Sequence, residues 1–194
     1  MAEEVSQQNG CLENPLYDPE ILYRLDPSKF KGEYSEGLSP LKPGGTLRTR
    51  PLCLDDYEKG YMELLSQLTA VGEVSKERFT ERFNKMKACV DTYFITVIED
   101  VKLGIIVGTV TLVVEQKFIH GATARARLED LVINDAYRGR QLGKMLLDII
   151  VVMSEVFHCY KGSLECKDHL VKLYSQYGFE KTPGQNYMQQ KYFD

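Results

Sequence analysis

The stretch richest in potential chemistry is Asn134 to Met153, NDAYRGRQLGKMLLDIIVVM. Arg138, Arg140 and Lys144, with Gly139 and Gly143, stand at the entrance to an apolar helical run. The first turn of a helix has backbone N–H groups with no acceptor inside the helix, and the helix dipole adds positive potential there. A basic, glycine-containing loop at that point is built for an anion, and its glycines let a large group approach the backbone. The natural ligand is a pyrophosphate. The loop is not a Walker A motif, because Lys144 is followed by Met145, and it is not G-x-G-x-x-G.

Such a loop needs a strand before it and a sheet beneath the helix. ARARLEDLVIND, ending at Asp135, is the strand that leads in, and TYFITVIED and GIIVGTVTLVVEQ read as two more, joined by a turn at Asp100–Gly104. TLRTRPL predicts a short strand stopped by Pro51. LDDYEKGYMELLSQL predicts one helix, and SKERFTERFNKMKA a second capped by Ser75. A long helix is expected from Gln141 to Phe157, with Leu142, Met145, Leu146, Ile149, Met153 and Val156 on one face. YKGSLEC then reads as a strand, DHLVKLYSQYGF as a short helix ended by Gly178, and NYMQQKYF as a final strand. The expected class is α+β: a mixed central β-sheet flanked by helices on both faces.

Two units are expected. Residues 1–45 hold most of the prolines and form an N-terminal extension, partly flexible, with one short helix near PEILYRL and with Tyr17, Tyr23, Phe30 and Tyr34 available to dock. Residues 46–194 form the domain. The 194 residues, 43% hydrophobic and 27% charged, suit a globular chain, and a net charge of −4 argues against general nucleic-acid binding. Five cysteines (Cys11, Cys53, Cys89, Cys159, Cys166) without a C-x-x-C pair disfavour a disulfide framework or a metal site. The acidic start MAEEVSQQNG is unlike a secretory signal, and MLLDIIVVM is too short to span a bilayer. The expected location is the cytoplasm, free or peripheral on an organelle membrane.

Arg138 to Gly143 resembles motif A of the GCN5-related N-acetyltransferases (GNAT), (Q/R)-x-x-G-x-(G/A), with Gln141 where the family usually has its first glycine. LYSQYGF is similar to the family's late LYxxxGF helix. QLTAVGEVSKERF, VVEQKFIHGATARARLEDLVIND, YRGRQLGKMLL, CYKGSLEC and LYSQYGF together resemble the glucosamine 6-phosphate N-acetyltransferases, a branch of that family.

The resemblance implies a GNAT fold and acetyl transfer from acetyl-CoA to the amine of glucosamine 6-phosphate, on the route to UDP-N-acetylglucosamine. It implies acetyl-CoA along Leu131, Val132 and Ile133, and its pyrophosphate on Arg138, Gly139, Arg140, Gln141, Leu142, Gly143 and Lys144. It implies a sugar phosphate held by Lys117, Phe118, Ile119, His120, Tyr160, Lys161 and Lys191, with Thr69, Glu129, Asp130 and Leu131 on its hydroxyls and amine. Glu165 is implied to orient or deprotonate the amine, and Tyr174 to protonate the departing thiolate, both also touching the cofactor. Lys191 stands where the family commonly has arginine, and Leu170 where relatives often have asparagine. No metal is implied, and a homodimer sharing the sugar site is.

An amine with a pKa of about 8, by analogy with α-amino groups, is partly neutral near neutral pH, so orientation and an oxyanion donor matter more than a strong base. A backbone N–H near the end of EDLV is the expected donor. The competing readings are acetylation of a protein or polyamine amine, which calls for an acidic acceptor groove, and a non-catalytic acetyl-CoA scaffold.

Overall fold

A computed structural model of the chain describes residues 14–185, 187–190 and 192. Five strands form one sheet in the order β1-β2-β3-β4-β5: β1 Leu47–Pro51, β2 Tyr93–Asp100, β3 Ile105–Gln116, β4 Ala124–Ile133 and β5 Cys159–Ser163. The first four are antiparallel neighbours and β5 lies parallel to β4. A parallel neighbour requires a crossover, supplied here by the long apolar helix after β4. β2 and β3 are buried on both faces, as their unbroken apolar runs require, whereas β4 alternates.

The helices are α1 Glu20–Tyr23, α2 Tyr61–Ser66, α3 Lys76–Ala88, α4 Leu142–Val156 and α5 Val171–Ser175. Ser75 caps α3 by accepting from the Arg78 N–H. α4 buries Met145, Leu146, Ile149 and Met153 against β3, β4 and β5, while Val156 at its end is exposed. Three sequence expectations change. LDDYEKGYMELLSQL is not one helix: a 3-10 turn over Leu54–Tyr57 and then α2 are separated at Gly60, whose φ of 78° leaves the helical region. Pro51 ends β1 from within, at a sheet edge where it withholds no inter-strand donor from an outer neighbour. Tyr187–Gln190 form no strand; Tyr187 and Met188 stand exposed, and Asn186, Lys191 and Phe193 lie outside the described residues.

The described part of the N-terminal segment is fastened to the sheet. Leu16 donates its N–H to the Leu52 carbonyl at 2.8 Å, and Tyr17 is buried with its hydroxyl 2.6 Å from that of Thr96. Phe30 and Tyr34 pack on the core, and Tyr23 is mostly exposed. Asp148, the acidic break in the apolar run, is fully buried on α4 and accepts from the Lys31 N–H (2.7 Å), the Gly32 N–H (2.9 Å) and the Tyr34 hydroxyl (2.6 Å). A buried carboxylate is tolerable only when its oxygens are satisfied in this way.

Elsewhere a buried ion cluster ties β1 to the turn that follows it. Arg50 grips Asp56 with two guanidinium nitrogens at 2.6 and 2.7 Å and Glu99 of β2 with Nε at 2.8 Å. Lys59 reaches Glu99 at 3.0 Å. Burial works against the charge of Glu99, yet hydrogen bonds and charge from Arg50 and Lys59 hold its carboxyl below the usual range.

Candidate active site

β4 and β5 run together only as far as Arg127 opposite Ser163. β5 ends there, whereas β4 continues to Ile133, so its edge from Leu128 onward has lost its neighbour. β4 also carries an extra residue against β3: Thr109 pairs with Val132 but Thr111 with Glu129. The bulge falls at Asp130, whose φ of 52° is left-handed. A widening gap with a bulged, unpaired edge exposes backbone donors and acceptors to an extended guest. Leu131, Val132 and Ile133 lie on this edge, with the Val132 side chain in the core.

The strand then enters the loop. Asn134 caps a 3-10 turn at Asp135–Tyr137, and the buried Tyr137 donates its hydroxyl to Asp100 at 2.8 Å. Gly139 has φ 80°, and Gln141, the N-cap of α4, has φ 63° and ψ 8° without a side-chain cap. Gln141 thus adopts the left-handed geometry that a glycine would take without cost. The backbone N–H groups from Gly139 to Lys144 find no acceptor among the described residues. A Cβ at Gly143 would meet only Ile133, at 3.7 Å, so protein packing does not demand a glycine there. The space it leaves lies over a helix N-terminus with free donors, which fits a bound diphosphate.

The loop's cations differ. Arg138 is paired with Asp135, Arg140 lies 4.9 Å from the Tyr137 ring centre, and Lys144 has no ion pair among the described residues. Leu142 is buried and anchors the first turn of α4. Gln67, not anticipated from sequence, accepts from the Asp135 N–H at 2.9 Å and ties the end of α2 to this loop. Thr69, two residues on, is exposed.

At the mouth of the gap, Arg127 is bonded through Nε to Glu129 and through Nη2 to Glu165 at 2.8 Å. Asp130 sits beside them; desolvation and then the Glu129 charge raise its pKa. Tyr174 on α5 is buried, edge-on to Phe179 at 6.1 Å. Burial, and secondarily the nearby Cys166, push its phenol above the ordinary value. Leu170 packs on the core at the start of α5.

The expected phosphate-binding residues gather at the other end of β4. His120, Gly121 and Ala122 form a left-handed turn with φ of 53°, 72° and 60°. The His120 ring stacks on Tyr160 at 4.0 Å, and Lys161 Nζ lies 5.7 Å from the same ring centre. Lys117 is paired with Glu115 at 2.7 Å. Phe118 and Ile119 project from the turn, the first fully exposed. Lys191 is outside the described residues. From this turn to Asp130 is about 20 Å along the strand at ~3.3 Å per residue. One chain therefore brings Arg127, Glu129, Asp130 and Glu165 together, and separately His120, Tyr160 and Lys161, but does not join Lys117 and His120 to the carboxylates.

Arg127 was not anticipated either. The alternation RARLED puts Arg125, Arg127 and Glu129 on one face of a strand, a signal visible in sequence. Its partner Glu165 comes from a distant segment.

Residues 57–179 match the acetyltransferase (GNAT) family. A probable glucosamine 6-phosphate N-acetyltransferase of Drosophila melanogaster is 46% identical over 173 residues, 89% of this chain and 78% of that protein. A glucosamine 6-phosphate N-acetyltransferase of Dictyostelium discoideum is 42% identical over 132 residues, 68% of this chain and 83% of its own. The solved glucosamine-6-phosphate N-acetyltransferase of Arabidopsis thaliana superposes with a TM-score of 0.71 at 33% identity, covering 77% of this chain and 100% of that one. The chain belongs to the GNAT acetyltransferase family and, within it, to the branch of the glucosamine 6-phosphate N-acetyltransferases.

Proposed function

We propose that the chain transfers the acetyl group of acetyl-CoA to the amine of D-glucosamine 6-phosphate, giving N-acetyl-D-glucosamine 6-phosphate and CoA on the route to UDP-N-acetylglucosamine. The observation that carries this is the parting of β4 from β5, with carboxylates at its mouth and a loop of unpartnered N–H groups at its end. Acetyl-CoA supplies an activated acyl group with a thiolate leaving group.

The chain's own residues do the rest. Gly139 to Lys144 hold the diphosphate through backbone donors, helped by the charge of Lys144. The free edge at Leu131–Ile133 aligns the pantetheine arm, and a backbone N–H by the bulge receives the developing oxyanion. Glu129 and Asp130 draw in the substrate ammonium. Glu165 accepts a hydrogen bond, and then the proton, from the attacking amine. Tyr174 donates its hydroxyl proton to the departing thiolate. A phenol kept protonated by burial suits that role near neutral pH.

The distance between the two ends of β4 favours a homodimer, in which a second copy brings its Lys117–His120 turn, with exposed Phe118 and Ile119, to the carboxylates of the first. Lys161, Lys191 and Thr69 complete the sugar site in this reading. Free Cys53, Cys89, Cys159 and Cys166 suit a reducing, cytoplasmic setting.

The test measures thiol release from acetyl-CoA with glucosamine 6-phosphate, glucosamine, spermidine or a lysine peptide. Turnover confined to glucosamine 6-phosphate is expected; turnover with the peptide and none with the sugar phosphate overturns the reading. For the shared site, two inactive variants, His120→Ala and Glu165→Gln, should regain activity when unfolded and refolded together. No recovery would sink the sharing of the site between subunits.

A further inference from the structure

Arg127 stands at the last rung that β4 and β5 share. Side chains two residues apart on a strand point the same way. Glu129 therefore lies two residues beyond Arg127 on β4, and Glu165 two beyond Ser163 on the segment leaving β5. Where the strands part, two carboxylates face each other across the gap, with one guanidinium at its base holding both.

This pair of contacts is not explained by stability. Arg127 is 35% exposed and Glu165 44% exposed, and ion pairs so open to water contribute little to folding. Their geometry has a chemical consequence instead. Only one oxygen of Glu165, Oε1, is bonded to Arg127, and no described residue bonds to the other. Without the arginine, Glu165 and Glu129 would repel each other, and each would swing into solvent. The fork keeps them a fixed distance apart, which the planar, multiply donating guanidinium does better than an ammonium. The remaining charges around it are Glu115 of β3, already paired with Lys117, and Arg125, which donates to Ser163 at 2.8 Å. Asp130 lies beyond Glu129 at the bulge, and Cys166 follows Glu165.

We propose that Arg127 is a positioning residue for acetyl transfer: it grips Glu165 by one carboxylate oxygen and holds it apart from Glu129, leaving the second oxygen to receive the acceptor amine. The inference rests on the acetyl-transfer reading and adds to it the group that aims its proton acceptor. Arg127 touches neither substrate nor cofactor in this role.

The experiment compares wild type, Arg127→Met and Arg127→Lys for kcat and for both KM values. With methionine, kcat should fall by about ten- to a hundredfold, the cost of a misaimed group. The acetyl-CoA KM should stay within about twofold, because the diphosphate loop is untouched. Lysine, which keeps the charge but not the fork, should restore only part of kcat. Added to Glu165→Gln, the methionine change should cost nothing further, as residues acting through one another are not additive. Thermal stability should move by less than about 2 °C.

A methionine variant with kcat within about twofold of wild type overturns the positioning role while leaving acetyl transfer in place. So does a loss that adds in full to that of Glu165→Gln. A wild type that ignores glucosamine 6-phosphate but acetylates another amine overturns the substrate instead, and the same comparison on that amine then decides the role of Arg127.

Discussion

The molecule uses one motif twice, an arginine between two carboxylates, and the two copies have opposite surroundings. Arg50 between Asp56 and Glu99 is almost fully enclosed, with exposures of 2%, 0% and 10%. Arg127 between Glu129 and Glu165 is about one-third open to water. In the first, every guanidinium nitrogen and all four carboxylate oxygens are engaged inside the protein, including Nη1 on the Pro51 carbonyl. In the second, carboxylate valence is left over. Enclosure turns the arrangement into a fastening that costs much to break, and exposure leaves it able to act on a visitor.

The contrast can be broken from either side. Arg50→Met should destabilise the fold by about 3–5 kcal/mol, because it strands two buried carboxylates, with kcat per folded molecule unchanged. Chemical denaturation and a titrated activity assay check both halves. Tyr174→Phe should act the other way. A fall in kcat of about a hundred- to ten-thousandfold is expected for a lost proton donor, with acetyl-CoA affinity kept. An unchanged kcat would remove Tyr174 from the mechanism.

The enclosed cluster should also show in the pH dependence of stability. The folded-state pKa of Glu99 lies below its usual value, so its contribution is present above about pH 4.3 and is lost as the pH falls through the folded pKa. Melting curves of wild type should weaken on acidification in that window, and Arg50→Met should lose this part of the slope. The smallest effect belongs to the basic loop before α4. Gln141→Gly relieves a left-handed residue at the cost of a freer unfolded chain, for a net gain of about 0.5–1 kcal/mol. Acetyl-CoA binding by calorimetry should stay within about twofold, since the backbone already has the shape the family's glycine would give it.

How much was legible before the fold differs by region. The placing of Arg138–Lys144 at a helix onset could be read outright, because charge, glycine and helix start are neighbours in the chain. Ser75 as a cap and the three central strands were readable for the same reason. Two local readings failed where geometry intervened. Gly60 divides what hydrophobic spacing presents as one helix, and Tyr187–Gln190 carry strand-like residues without a strand. The role of Asp148 was hidden, since its three donors come from a segment more than a hundred residues earlier.

The sequence by itself determined the class of protein and the placing of a basic, glycine-containing loop at the onset of a helix, because these rest on residue types at short, fixed spacings. Only the tertiary structure decided that Arg127 binds Glu129 and Glu165 at once, that Gln141 takes a glycine's backbone, and that Lys117 and His120 lie at the opposite end of β4 from Glu129 and Asp130. Those facts depend on where β4 bulges and where β5 leaves it. Register and divergence between strands are set by packing across the whole sheet and not by any one segment.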